Sequence, residues 1–150
     1  MIRQATEADY DALVGLYTGY DRAITEHLGN HAALRDKKQK GEQKAVFNAL
    51  HNGRGKIFVA RESEEYLGFI YGFAQQPRSA IFDLPKMGTV KWFFVSDQAR
   101  RKGLGAALYQ ALEEWFREQG CAYAQVDATH ADFYASQGFD ILMQHMKKKL

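Results

Sequence analysis

The β-branched and aromatic run Val90-Lys91-Trp92-Phe93-Phe94-Val95 leads into the basic, glycine-punctuated stretch Arg100-Arg101-Lys102-Gly103-Leu104-Gly105-Ala106. From Leu104 onward, Ala107, Leu108, Ala111, Leu112, Trp115 and Phe116 recur at three- and four-residue steps, which is one face of a helix. A buried strand, a short turn and a one-faced helix in that order commit the chain to an α/β arrangement in which the helix folds back on the sheet. The same order places unpaired backbone N–H groups at a helix start, where glycines allow close approach and the helix dipole adds positive potential. The turn is therefore a candidate phosphate cradle.

Two other phosphate loops are excluded. A Walker loop ends in Gly-Lys-Ser/Thr, whereas Gly105 is followed by Ala106 and Ala107. A dinucleotide fingerprint needs a third glycine where Leu108 stands. What remains is R-x-x-G-x-G, Arg100 to Gly105, after a strand ending in Val95. The competing reading is an ordinary strand-to-helix turn whose charges are solvated, because short glycine motifs recur by chance.

The chain has 150 residues, of which 46% are hydrophobic, so one domain with one core is expected. A formal net charge of +2 supplies no global field for nucleic acid, and the lysines at 37, 38, 40 and 44 read as a solvated helix face. The single Cys121 cannot form an internal disulfide, which suits a reducing, cytoplasmic setting. No leader and no membrane span are expected.

Periodicity divides the rest. Ile2 to Ala5 reads as a short strand, and Thr6-Glu7-Ala8-Asp9 as a capping box opening a helix that carries Tyr10, Leu13, Val14, Tyr17, Tyr20 and Ile24 on one stripe. Gly29-Asn30 breaks it, and a second helix, in one piece or two, spans 32–51. Lys56 to Arg61 and Tyr66 to Ala74 form a hairpin, and Gln75 to Met87, with Pro77 and Pro85, forms a loop. After the motif helix, which Gly120 ends, come a strand at 122–127, a short helix at 129–137 and a last strand from Ile141 to Lys147.

The order β-α-α-β-β-β-α-β-α-β, the Arg100–Gly105 loop, the segment Phe133-Tyr134-Ala135-Ser136-Gln137-Gly138-Phe139 and the ending Met146-Lys147-Lys148-Lys149-Leu150 together resemble the GNAT superfamily of N-acyltransferases over nearly the whole chain. The resemblance implies a single-domain α/β fold with a mixed sheet of about six strands and about four helices. It also implies a split between the fourth and fifth strands, Trp92–Val95 from Ala124–Asp127, that admits a pantetheine arm. Acetyl-CoA is the implied cosubstrate, with no metal. The residues implied to hold it are Phe94, Val95, Arg100, Arg101, Lys102, Gly103, Leu104, Gly105 and Ala106, the acyl carbonyl meeting an amide near Phe94 or Val95.

Tyr134 matches the family's proton donor to the departing thiolate. The base is less determined. Relatives often carry an acid where this chain has Lys91, and the alternatives are Glu26, His27, Asp83, Asp127, His130 or a water chain. The last hairpin of many relatives is expected to be missing. By the same analogy Tyr17, Tyr20, Asp21, Glu26, His27, Phe82 and Asp83 would line an acceptor pocket, although Tyr17 and Tyr20 also fit a core stripe. The implied activity is direct transfer of an acetyl group to a primary amine of a small molecule or peptide. The alternative is a non-catalytic acyl-CoA sensor of the same fold, suggested by Lys91 and Trp92. A homodimer is implied by analogy, and neither nucleic acid nor membrane is an expected partner.

Overall fold

The computed structural model describes residues 1–29 and 38–150. Its strands are β1 (Ile2–Gln4), β2 (Gly55–Glu62), β3 (Glu65–Gln75), β4 (Met87–Val95) and β5 (Tyr123–Val126). Its helices are α1 (Tyr10–Leu28), α2 (Lys38–Leu50), α3 (Leu104–Glu118) and α4 (Ala131–Ser136). The sheet runs β1-β2-β3-β4-β5, antiparallel throughout except for the parallel β4–β5 pair. Among the described residues no helix is long and apolar enough to cross a membrane. Asn30 to Lys37, including Lys37 of the expected lysine face, lie outside the described residues.

The expected α/β order holds, with one correction. Among the described residues the sheet has five strands, not about six, because Ile141–Lys147 forms no strand. Its strand propensity finds no ladder partner among those residues, and an extended segment is stable as a strand only against another.

The sheet separates two cores. On one face α3 buries Leu108, Tyr109, Leu112, Trp115 and Phe116 against Ile70, Ala74 and Val90, while Phe93, Val95 and Phe133 pack alongside. On the other, Leu13 and Leu16 of α1 and Val46 and Ala49 of α2 cover Ile57, Val59, Phe69 and Tyr71, with Trp92 and Phe94 against them. β4 thus sends alternate side chains into both layers, as strand pleating requires. A Cβ at Gly88 would sit 2.4 Å from the Phe116 ring, so glycine there lets α3 lie close on the sheet.

The N-terminus is tied down by a carboxylate. Asp9 is 2% exposed and takes a bidentate pair from Arg3 at 2.8 and 2.7 Å. The Tyr66 hydroxyl and the Thr6 N–H (2.8 Å) also donate to it. The Arg3 guanidinium, aided by those two donors and against the cost of burial, holds the Asp9 carboxyl well below the usual carboxylate range. Because the folded value is depressed, its contribution is complete above an unfolded Asp value near ~3.9 and is lost as pH falls from there toward the folded value. Asp9→Asn should therefore lower unfolding free energy at neutral pH by about 2–3 kcal/mol, the scale of hydrogen bonds to a charged group. In urea denaturation the gap between variant and parent should narrow steadily as pH drops below ~4. A gap unchanged in acid would refute this account.

Candidate active site

β4 has two different edges. Opposite β3 the register skips between Tyr71↔Trp92 and Gly72↔Val90, so Lys91 is the extra residue of a β-bulge. Opposite β5 the ladder covers only Met87–Val90 against Tyr123–Val126. Bulge and end of pairing coincide, and from Lys91 onward β4 has no neighbour on that side. The expected split is present, but it starts beyond the paired residues Ala124 and Val126.

Register decides which main-chain groups face the gap. Ser96 N–H donates to Leu67 O at 2.8 Å, which makes Ser96 and Leu67 a hydrogen-bonded pair. Antiparallel alternation then commits Phe94 to β3 and turns the amides and carbonyls of Phe93 and Val95 toward the gap. Of the two amides expected near the acyl carbonyl, Val95 is open and Phe94 is engaged. Phe93 takes the second open place.

Past Val95, a single turn of 3₁₀ helix (Asp97–Ala99) leads into the glycine loop. The amides of Arg101, Lys102, Gly103, Leu104, Gly105 and Ala106 have no hydrogen-bond acceptor among the described residues; the first internal bond is Ala107 N–H to Gly103 O at 3.1 Å. Arg101 (φ 65°) and Gly103 (φ 76°) are both left-handed, backbone of the kind from which anion nests are built. Arg101 is not glycine, so the loop retains some strain there. Arg100 pairs with Asp97 at 3.0 Å, with both side chains largely exposed.

A cavity of about 280 Å³ lies along the open edge of β4. Phe94, Val95 and Arg100 line it from the strand and loop, Tyr20, Ile24 and His27 from α1, and Asp127, His130 and Tyr134 from the β5–α4 side. Tyr134 is 6% exposed, and its hydroxyl has no hydrogen-bond partner among the described residues. Burial, with a smaller contribution from Tyr20, pushes its phenol well above the ordinary value near ~10, so it holds its proton. The His27 and His130 rings stand 6.3 Å apart, and Thr129 Oγ1 is 3.1 Å from His130 Nδ1.

Of the candidate bases, His27, Asp127 and His130 meet at this cavity, whereas Glu26 and Asp83 do not line it. Asp83 and Phe82 lie in the loop between β3 and β4, away from both cavities. Asp21 packs against Glu42 of α2; burial and that second carboxylate push it up to about 6. Tyr17 is used in packing, 4.6 Å from the Trp92 ring. A second, more open cavity of about 590 Å³ lies between α2 and strands β3 and β4, lined by Asn48, Asn52, Arg54, Tyr71, Lys91 and Trp92 among others. Lys91 lines both cavities. Ile24, Phe93 and this second cavity were missed from sequence, although Tyr20, Ile24 and His27 do recur at helical spacing.

The acetyltransferase (GNAT) family profile matches residues 14–139. The chain belongs to that family. Among solved structures it is similar to a mutant BH1408 protein from Bacillus halodurans (TM-score 0.87, 20% identity, covering 100% of this chain and 99% of that one). It is also similar to a predicted acetyltransferase with acetyl-CoA from Clostridium acetobutylicum (TM-score 0.78, 14% identity, 99% and 95% covered). A third is the aminoglycoside N-acetyltransferase AAC(6')-Iy in complex with CoA (TM-score 0.76, 15% identity, 100% and 93% covered). No curated protein matches the sequence. At these identities the structural likeness concerns the fold, and the GNAT assignment rests on the family match.

Gly103 tests the loop's geometry without touching its surroundings. A Cβ there meets nothing within 4 Å, so only the left-handed backbone opposes a side chain. Gly103→Ala should cost about 1–2 kcal/mol, the left-handed penalty for an L-residue. For a domain of this size that lowers Tm by about 2–8 °C in a thermal melt. An unchanged Tm would mean that the loop is not held in this conformation.

Proposed function

We propose that this GNAT protein transfers the acetyl group of acetyl-CoA directly to a primary amine of a small molecule or peptide. One observation carries the reading. The open β4 edge at Phe93 and Val95, together with Arg100, borders a cavity that also reaches Tyr134, whose hydroxyl has no partner among the described residues. The free amides of residues 101–106 follow directly after Arg100 in the chain. Such an array fits a long cosubstrate with a diphosphate at one end and amides along its arm. The loop amides with Arg100 or Lys102 would hold the diphosphate, and the open strand edge would pair with the arm as an added strand does. Acetyl-CoA supplies an activated acyl group.

The chain's own residues then have three tasks. The Val95 or Phe93 N–H faces the position where negative charge grows on the acyl oxygen, and removal of one such donor typically costs a factor of about 10²–10³. Tyr134 donates a hydrogen bond to the departing sulfur. Full proton transfer is uphill even for an ordinary phenol, by about 1.5 units or roughly 2 kcal/mol against a thiol near ~8.5, and burial adds to that. His27 and His130, with Asp127 beside them, take the amine's proton directly or through water. An alkylamine near ~10.4 is neutral in about one molecule per thousand at pH 7, so this step is worth roughly 4–5 kcal/mol.

Cys121 plays no covalent part. It packs beside the α3 core, outside both cavities, and burial pushes its thiol up. Transfer is therefore direct. The acceptor enters through the larger cavity, which meets the first at Lys91. Among the described residues its rim carries Arg54 and Lys91 and no acid, which suits an acceptor with a neutral or anionic arm better than a polycation. The acids expected to line an acceptor pocket are elsewhere: Asp21 is engaged with Glu42, and Glu26 and Asp83 line neither cavity. A non-catalytic sensor is the second reading, motivated by a lysine at the bulge where an acid is common in relatives.

Acetyl-CoA and CoA at a hundredfold excess over Kd should stabilise the protein by roughly 2.7 kcal/mol. A flat melt with both would end the proposal. Thiol release across neutral, anionic and polycationic amines then separates enzyme from sensor. Tyr134→Phe should lower kcat by about tenfold to a few hundredfold, the range of positioned acid–base groups, with little change in KM for acetyl-CoA. Changing His27 and His130 together to Gln should lower kcat by a factor of about 10²–10⁴, the range of positioned acid–base groups. An unchanged kcat would assign the base elsewhere.

A further inference from the structure

Two cations on the larger cavity have no counter-charge. Arg3, Arg61, Arg100 and Arg117 each hold a carboxylate of their own chain. Among the described residues Arg54 and Lys91 hold none, and no acid lines the cavity they share. The fold fixes where each one stands. Asn52 accepts the Arg54 N–H at 3.0 Å and donates to the Tyr71 hydroxyl at 2.8 Å, while Arg54 O accepts the Ala74 N–H at 2.8 Å. The turn after α2 is thereby pinned to β3, and the Arg54 side chain is left without an internal partner. Lys91 is placed by the bulge. Val90 and Phe93 both pack in the α3 layer and Trp92 and Phe94 in the opposite one, so Lys91 shares with Trp92 the face that looks onto α2. The Tyr71 and Trp92 rings, 4.8 Å apart, and the side-chain amides of Asn48 and Gln75 form much of the remaining wall.

We propose that the acceptor amine carries an anionic group, a carboxylate or a phosphate, which Arg54 and Lys91 recognise in the larger cavity. This deepens the reading of the protein as an acetyltransferase whose acceptor enters there, and it rests on that reading. Each side chain has its own part. The guanidinium offers parallel N–H donors that match two oxygens of a carboxylate or phosphate, and the ammonium adds a point charge. Two uncompensated cations on one wall attract an anion and repel a polycation. Lys91 also lines the smaller cavity, so its charge disfavours a protonated amine at the junction, and it is the neutral amine that reacts. At about 590 Å³ the cavity is in the range that takes a whole small molecule rather than a bare amine. Its rings and side-chain amides suit a short carbon or peptide body between the two polar ends.

Two pairs of acceptors that differ in the anion test the proposal: glycylglycine with its C-terminal amide, and phosphoethanolamine with ethanolamine. Each is measured by thiol release from acetyl-CoA and by calorimetric binding in the presence of CoA, so binding reads the proposal even without turnover. In at least one pair the charged member should exceed its partner by about tenfold to a hundredfold in kcat/KM and in affinity, the scale of hydrogen bonds between charged groups. The pair that shows it tells carboxylate from phosphate. In Arg54→Gln that ratio should fall toward one, in Arg54→Lys it should be intermediate, and Lys91→Met should lower it by a smaller factor. Both side chains are exposed, so every variant should still melt cooperatively. Equal values within both pairs, a ratio that survives Arg54→Gln combined with Lys91→Met, or no binding by any of the four would overturn the proposal. A melt that acetyl-CoA leaves flat would instead overturn the transferase reading beneath it.

Discussion

Everything distinctive about this molecule depends on one strand having a partner along only one of its edges. β4 is fully paired to β3, yet beside β5 its ladder stops at Val90. The stop falls at the Lys91 bulge, where an extra residue bends the strand and raises its local twist. An unpaired edge inside a cavity is costly, because each desolvated amide or carbonyl forgoes a bond. The fold holds it open by clamping β4 from above and below. Phe93 and Val95 are fixed in the α3 layer, and Trp92 and Phe94 in the α1–α2 layer. The strand cannot shift to recover its missing bonds without disturbing both cores.

The helix start is placed by the same economy of space. Phe116 lies where a Cβ on Gly88 would be, and Leu112 and Phe116 lie 2.8 Å from where a Cβ on Gly72 would be, so α3 sits unusually close to the strands. Its first amides follow the open β4 edge in the chain, after the turn at Asp97–Ala99 and the glycine loop.

Local signals carried much of this. The α3 stripe, the glycine loop and the β2–β3 hairpin follow from spacing or from motif, since each depends on residues near one another in sequence. What could not be read depends on distant pairing. Lys91 looks like any strand residue until Tyr71 and Gly72 are placed opposite it. Whether Phe94 or Val95 keeps a free amide is settled by a bond from Ser96 to Leu67, across the sheet. Asp21 seemed free for a ligand, but its environment is made by Glu42 on another helix. The strand expected at Ile141–Lys147 failed for the same reason: extended conformation is a local preference, but a strand is a property of two segments.

In the proposed reaction the chemistry offered by side chains is weak, and that points to where the rate would come from. A buried phenol that resists giving up its proton is a hydrogen-bond donor rather than a strong acid. A positioned acid–base group contributes a factor of about 10²–10⁴, well short of a typical enzymic acceleration of 8 kcal/mol or more, taken as an order-of-magnitude floor of about 10⁶. Positioning can supply the rest, since holding two reactants in alignment is worth roughly 7–11 kcal/mol. The rigidity of β4 is then the main catalytic asset. It follows that mutations loosening the strand, such as those at Gly88 or Phe116, should slow transfer more than the loss of any one titratable side chain, even where the fold survives them.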